Sequence, residues 1–115
     1  MRHKNKGRKF GRKRDQRRAF LKSLVVNLIL KGRIKTTEAR AKEMRGLVER
    51  LITKTKKGDL AGVRYAEKFL PKAAVAKLLR DVAPKYKDRV GGYSRIIKLG
   101  SRGSDSASMV FIELV

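Results

Sequence analysis

Residues 1–18 cannot help to build a hydrophobic core. They hold ten Lys or Arg, the single acid Asp15, and only Met1 and Phe10 as large apolar side chains. A segment of charge +9 with so little to bury cannot offset its own ordering entropy. It is expected to be disordered alone and to order against a partner. The chain therefore divides into a basic extension, residues 1–18, and a single domain, residues 19–115.

From residue 19 the pattern is that of a globular protein. Leu21, Leu24, Val25, Leu28 and Ile29 recur at the spacing of one helix face, and Gly32 stands where a left-handed residue would end that helix. Arg33 to Thr36 is too short for a helix, and its β-branched residues favour a strand. Thr36 or Thr37 caps a second helix, with Glu38 in the first turn, an apolar face of Ala41, Met44, Val48, Leu51 and Ile52, and a stop at Gly58. Asp59 caps a third helix, which Pro71 ends, with Leu60, Val63, Tyr65, Ala66 and Phe69 turned inward. A fourth runs from about Lys72 to Val82, and Pro84 lies just beyond.

The remainder reads as a hairpin. Gly91-Gly92 breaks the chain, Tyr93 to Leu99 is extended, and Gly100 to Ser106 is loop chemistry. Met109 to Val115 then alternates, with Val110, Ile112 and Leu114 on one side and Met109, Phe111 and Glu113 on the other. The fold class that results is α+β: a two-layer domain of about four helices on a small three-stranded sheet, ending in a β-hairpin and preceded by the basic extension.

Charge narrows the function. The chain carries 32 Lys and Arg against 10 Asp and Glu, a net charge of +22. Like charge held in a small volume repels itself, and a polyanion that neutralises it removes that penalty while releasing its own counterions. Nucleic acid is the most natural partner, ahead of an anionic membrane surface or an acidic protein. No apolar stretch approaches the ~20 residues of a membrane span, and no apolar segment of signal-peptide type follows the basic start, which reads as mature protein. There is no cysteine and one histidine, His3, so neither a zinc site nor histidine catalysis finds support, and no metal or cofactor is expected. The Gly100-Ser-Arg-Gly103 stretch lacks the ending of a P-loop, and Asp105 among serines reads as a turn residue. Neither a small-molecule substrate nor an enzymatic activity is expected.

The candidate RNA-binding residues form three groups. In the extension they are Arg2, His3, Lys4, Lys6, Arg8, Lys9, Arg12, Lys13, Arg14, Arg17 and Arg18, with Gly7 and Gly11 allowing close backbone approach. In the first strand they are Arg33 and Lys35. Near the hairpin they are Arg89, Tyr93 and Arg95, with Lys98 and Arg102 weaker candidates. Tyr86 and Tyr93 could stack on unpaired bases while Arg89 and Arg95 hold the backbone. The commoner alternative for each tyrosine is packing on the domain with its hydroxyl at the surface. Lys54, Lys56 and Lys57 could equally bind phosphate or complement the dipole of the second helix. A nucleoid-type DNA-binding protein and a membrane-active cationic protein are rivals. The first would need a groove-entering element, and the second would place basic and apolar residues on one helix.

Several collinear motifs resemble one family: Met1-Arg-His-Lys-Asn-Lys-Gly-Arg-Lys-Phe-Gly-Arg12, Gly32-Arg-Ile-Lys-Thr-Thr37, Ala41-Lys-Glu-Met-Arg45, Glu49-Arg-Leu-Ile-Thr53, Gly91-Gly-Tyr-Ser-Arg-Ile-Ile-Lys98 and Met109-Val-Phe-Ile-Glu-Leu114. The chain is similar to the bacterial large-subunit ribosomal protein seventeen family from end to end. That resemblance implies a non-catalytic role in assembly on large-subunit rRNA, in the cytoplasmic ribosome. It implies neighbouring large-subunit proteins near the polypeptide exit as further partners. Where the family usually has His-Arg at the start of the first helix this chain has Gln16-Arg17, and Leu30-Lys31 stand where a histidine is often found.

Overall fold

In a computed structural model, the structure describes residues 2–103 and 107–115, with side chains from Arg14 onward among the helical residues of the N-terminus. The element order is α1 (Arg2–Lys31), β1 (Arg33–Thr37), α2 (Glu38–Thr55), α3 (Leu60–Glu67), α4 (Lys72–Lys77), β2 (Ser94–Ser101) and β3 (Ser108–Leu114). Between α4 and β2 the chain passes through a π-helical turn, Leu78–Val82, and a 3₁₀ turn, Ala83–Tyr86.

The three strands form one antiparallel sheet in the order β1-β3-β2. The last strand therefore lies in the middle and pairs with both others. Alternation along β3 sets the two faces: Val110 and Ile112 are fully buried beneath the helices, and Met109, Phe111 and Glu113 look the other way. Helices cover only one face, as expected of a two-layer α+β domain.

Local chemistry fixes each corner. Gly32 has φ +80°, and its N–H donates to the Leu28 carbonyl at 2.6 Å, ending α1 in a left-handed residue. The Gly32 carbonyl then accepts from the Leu114 N–H at 3.0 Å, which pins the α1–β1 corner to the end of β3. Thr37 caps α2 through its hydroxyl, and Asp59 caps α3 by accepting from the Gly62 N–H at 2.9 Å. Gly62 also permits the close crossing of α2 and α3, because a Cβ there would collide with the Lys54 carbonyl. The predicted inward face of α2 is buried in full.

Three elements depart from the sequence pattern. The apolar periodicity begins near residue 19, but α1 begins at Arg2, so the basic extension continues the helix. Side chains 14–20 are all exposed, and the helix there rests on backbone hydrogen bonds and on the good propensities of Lys, Arg and Gln. Leu60, expected to face inward, is 62% exposed, because it is the first residue after the Asp59 cap and α3 approaches α2 through Gly62 and Ala66. The fourth helix is not a uniform α-helix to Val82. Pro84 has no N–H, and its ring conflicts with an α-helical carbonyl one turn back. The turn widens instead, and the Ala83 N–H reaches the Leu78 carbonyl. That arrangement buries Leu78, Val82, Ala83 and Tyr86 together.

Two substitutions test this packing in thermal or urea denaturation. Leu51→Ala empties a site of zero exposure and should cost about 2–5 kcal/mol. Gly62→Ala should cost about 1–3 kcal/mol by forcing α3 away from Lys54, whereas the exposed Ser23→Ala should stay within about 0.5 kcal/mol of the parent.

Candidate nucleic-acid interface

Which cations remain for a partner depends first on what the scarce acids do. Six of the ten hold the scaffold. Glu38 pairs with Lys42 at 3.3 Å and with Lys98 at 3.9 Å, and Glu43 lies 3.9 Å from Arg17. Asp81 sits between Lys77 and Arg80, and hydrogen bonding from Lys77 is the leading cause of its lowered pKa. Glu49 accepts from the Tyr93 backbone N–H at 2.9 Å, Asp59 is a cap, and Glu113 lies between Arg33 and Arg95.

Tyr93 is the centre of the loop that leads into β2. Its exposure is 1%, so its ring packs within the domain, the sequence-based alternative to stacking on a base. Its hydroxyl accepts from the Lys56 ammonium at 2.8 Å and donates to the Arg89 carbonyl at 3.1 Å. Its ring packs 5.1 Å from that of Tyr86, whose own hydroxyl donates to the Val115 carbonyl at 2.7 Å. Burial raises the Tyr93 pKa, but hydrogen bonds from Lys56 and Thr53 and the charge of Lys56 outweigh it and leave the value lowered. At Tyr86 burial dominates and the value is raised. Lys56 is therefore a structural residue that binds Tyr93 and the Arg89 carbonyl.

The other candidates fall on separate surfaces. Arg14, Arg17 and Arg18 are exposed on α1, whereas the side chains of Arg2, His3, Lys4, Lys6, Arg8, Lys9, Arg12 and Lys13 lie outside the described residues, as does Asp105. Arg89 is exposed in the loop after the 3₁₀ turn, and its Nε donates to the Gly91 carbonyl at 3.3 Å. Arg33, Lys35 and Arg95 share the outer face of the sheet, where Arg33 and Arg95 stand directly across from Glu113 on either side. Lys98 belongs to the opposite face by register and meets Glu38 at the edge of α2. Arg102 closes the hairpin, its N–H donating to the Ala107 carbonyl at 2.7 Å.

Sequence reasoning missed two arginine–aromatic cation–π contacts. The Arg33 guanidinium lies 3.6 Å from the Phe111 ring centroid, and that of Arg40 lies 4.6 Å from Phe20, which is 45% exposed. The alternation of β3 already put Phe111 on the outer face, but only the register with β1 shows that Arg33 is its neighbour. Among the described residues no three His, Cys, Asp or Glu side chains form a metal-binding group, and no helix is long and apolar enough to cross a membrane.

A family model described as ribosomal protein L17 matches residues 20–115. The chain belongs to the ribosomal protein L17 family. Similar curated proteins are each named large ribosomal subunit protein bL17. That of Thermoanaerobacter sp. (strain X514) is 55% identical over 109 residues, covering 94% of this chain and 97% of its own length. Those of Pelobacter propionicus and Staphylococcus carnosus are 48% and 49% identical, with coverage of 100% and 94% of this chain and of 91% and 98% of the relatives. The family match begins within two residues of the point where the composition changes.

Tyr93→Phe separates the structural from the RNA-contacting role of this residue. It should lower stability by about 1–3 kcal/mol through loss of the Lys56 hydrogen bond, and remove from a tyrosinate absorbance titration a hydroxyl whose pKa is lowered. RNA affinity measured where both proteins are folded should change less than about twofold. A loss of affinity without a loss of stability would show that the tyrosine reaches RNA.

Proposed function

We propose that the chain is a structural constituent of the large ribosomal subunit that binds and stabilises large-subunit rRNA, supporting subunit assembly and translation in the cytoplasm. The observation that carries this reading is the imbalance of charge after folding. Six of the ten acids serve in caps, on the Tyr93 backbone and in ion pairs, and the chain still carries an excess of +22 for a polyanion to neutralise. Membership of a ribosomal family supports rRNA over other polyanions. Neighbouring large-subunit proteins near the polypeptide exit are the further partners that the family resemblance supports. Nothing in the role requires a catalytic group or cofactor. Arg14, Arg17, Arg18 and the basic residues before them would track phosphates along the extension, while Arg33, Lys35, Arg89 and Arg95 would bind from the domain.

Sedimentation of a native lysate through a sucrose gradient after a moderate-salt wash tests the assignment. The protein should co-migrate with large subunits and whole ribosomes at near one copy each. Migration at the top of the gradient, or with nucleoid DNA, would contradict it. Removing residues 1–18 deletes no described buried side chain, so residues 19–115 should keep their fold. If the extension neutralises about eight phosphates, its loss should flatten the log–log salt dependence of rRNA binding by roughly 6 to 7. An unfolded truncation product would refute this division of labour.

A further inference from the structure

The outer face of the sheet carries an arrangement that the net charge alone does not require. Helices pack on Val110 and Ile112, and among the described residues no helix covers the face of Met109, Phe111 and Glu113, which are partly buried by neighbouring side chains of the sheet. On β1 and β2 the same face presents Arg33, Lys35, Arg95 and Ile97 in register with them. Arg33, Glu113 and Arg95 form one row across the three strands.

Glu113 holds both guanidinium groups by the same nitrogen. Arg33 Nε lies 3.5 Å from Oε2, and Arg95 Nε lies 2.5 Å from Oε1. Among the described residues no hydrogen bond engages the terminal nitrogens of either arginine, and both side chains remain at least half exposed. The Arg33 plane is also backed by the Phe111 ring at 3.6 Å. The Arg33 guanidinium lies over the central strand, with a second fork beside it and the exposed Lys35 two register pairs along, opposite Phe111.

We infer that this face binds an unpaired segment of RNA, with a base stacked on the Arg33–Phe111 plate and adjacent phosphates held by Arg95 and Lys35. The inference rests on the proposed RNA-binding role and names the part of the RNA that the sheet takes. A flat guanidinium or aromatic surface recognises the exposed face of a splayed base, which a continuous duplex does not offer. The face has a net positive charge, as does the whole chain, which favours RNA over an apolar protein segment. Glu113 is a positioning residue, since its carboxylate sets both forks and would itself repel phosphate.

The test uses the full chain and two probes, a 12-nucleotide oligouridine and an RNA duplex of ~12 base pairs, with Tm measured for every variant. Arg33→Lys keeps the charge and loses the plane, and Phe111→Leu keeps apolar volume and loses the ring. Each should weaken oligouridine binding about fivefold or more while duplex binding changes less than about twofold. Glu113→Gln should strengthen duplex binding by removing a negative charge, yet weaken oligouridine binding by releasing the forks. Lys35→Gln, at an exposed edge position, gives a further phosphate readout should Phe111→Leu fail to fold, and should weaken oligouridine binding. Equal effects on both probes, or no effect on either, would overturn the inference. So would unchanged affinities together with loss of a neighbouring protein from subunits assembled with Phe111→Leu. Failure of the parent chain to bind either probe would overturn the RNA-binding reading itself.

Discussion

Self-repulsion among 32 cations is the constraint under which every other part of this structure works. At an effective dielectric constant of 20, two like charges 4 Å apart cost about 4 kcal/mol, and salt screens this within roughly 8–10 Å. The fold answers in two ways. The densest charge lies at one end, on the part of α1 whose described side chains touch no core. Within the domain, the few acids sit where they join elements: Glu49 ties α2 to the start of β2, Glu43 ties α2 to α1, and Glu113 joins all three strands. What holds the scaffold together also sets the direction in which its surplus charge points.

Two anchors translate this into a surface. Tyr93, sealed by Glu49, Lys56 and the Arg89 carbonyl, fixes the loop that delivers β2 to the sheet. The register that follows aligns Arg95 with Glu113 and Arg33. Gly32 contributes from the other side, because its left-handed turn drops β1 against β3 at once and its carbonyl binds Leu114. A pair of local features, one glycine and one buried tyrosine, therefore determines where three charged groups meet.

Much of this was legible in the sequence because it rests on local rules. The helix face of α2, the caps at Thr37 and Asp59, the stop at Gly32 and the alternation of β3 all follow from spacing and from cap or turn chemistry. The packing of Tyr93 was not legible, because an aromatic beside two glycines and several basic residues looks the same in sequence whether it faces RNA or the core. Only the distant partners Glu49, Lys56 and Tyr86 decide the matter. The Arg33–Glu113–Arg95 row was hidden for the same reason, since it joins the hairpin register of Arg95 and Glu113 to a first strand some 80 residues away. The widened turn before Pro84 was hidden by a pattern of apolar residues compatible with an ordinary helix.

The most direct test of the account is the melting temperature of the isolated protein across ionic strength, with and without an rRNA fragment. If surplus positive charge is what the partner relieves, Tm should rise as salt screens the repulsion. It should rise further with RNA at low salt, and the RNA effect should fade as salt increases. A Tm that is flat in salt and indifferent to RNA would show that the charge neither strains the fold nor recruits the partner, and would contradict the account.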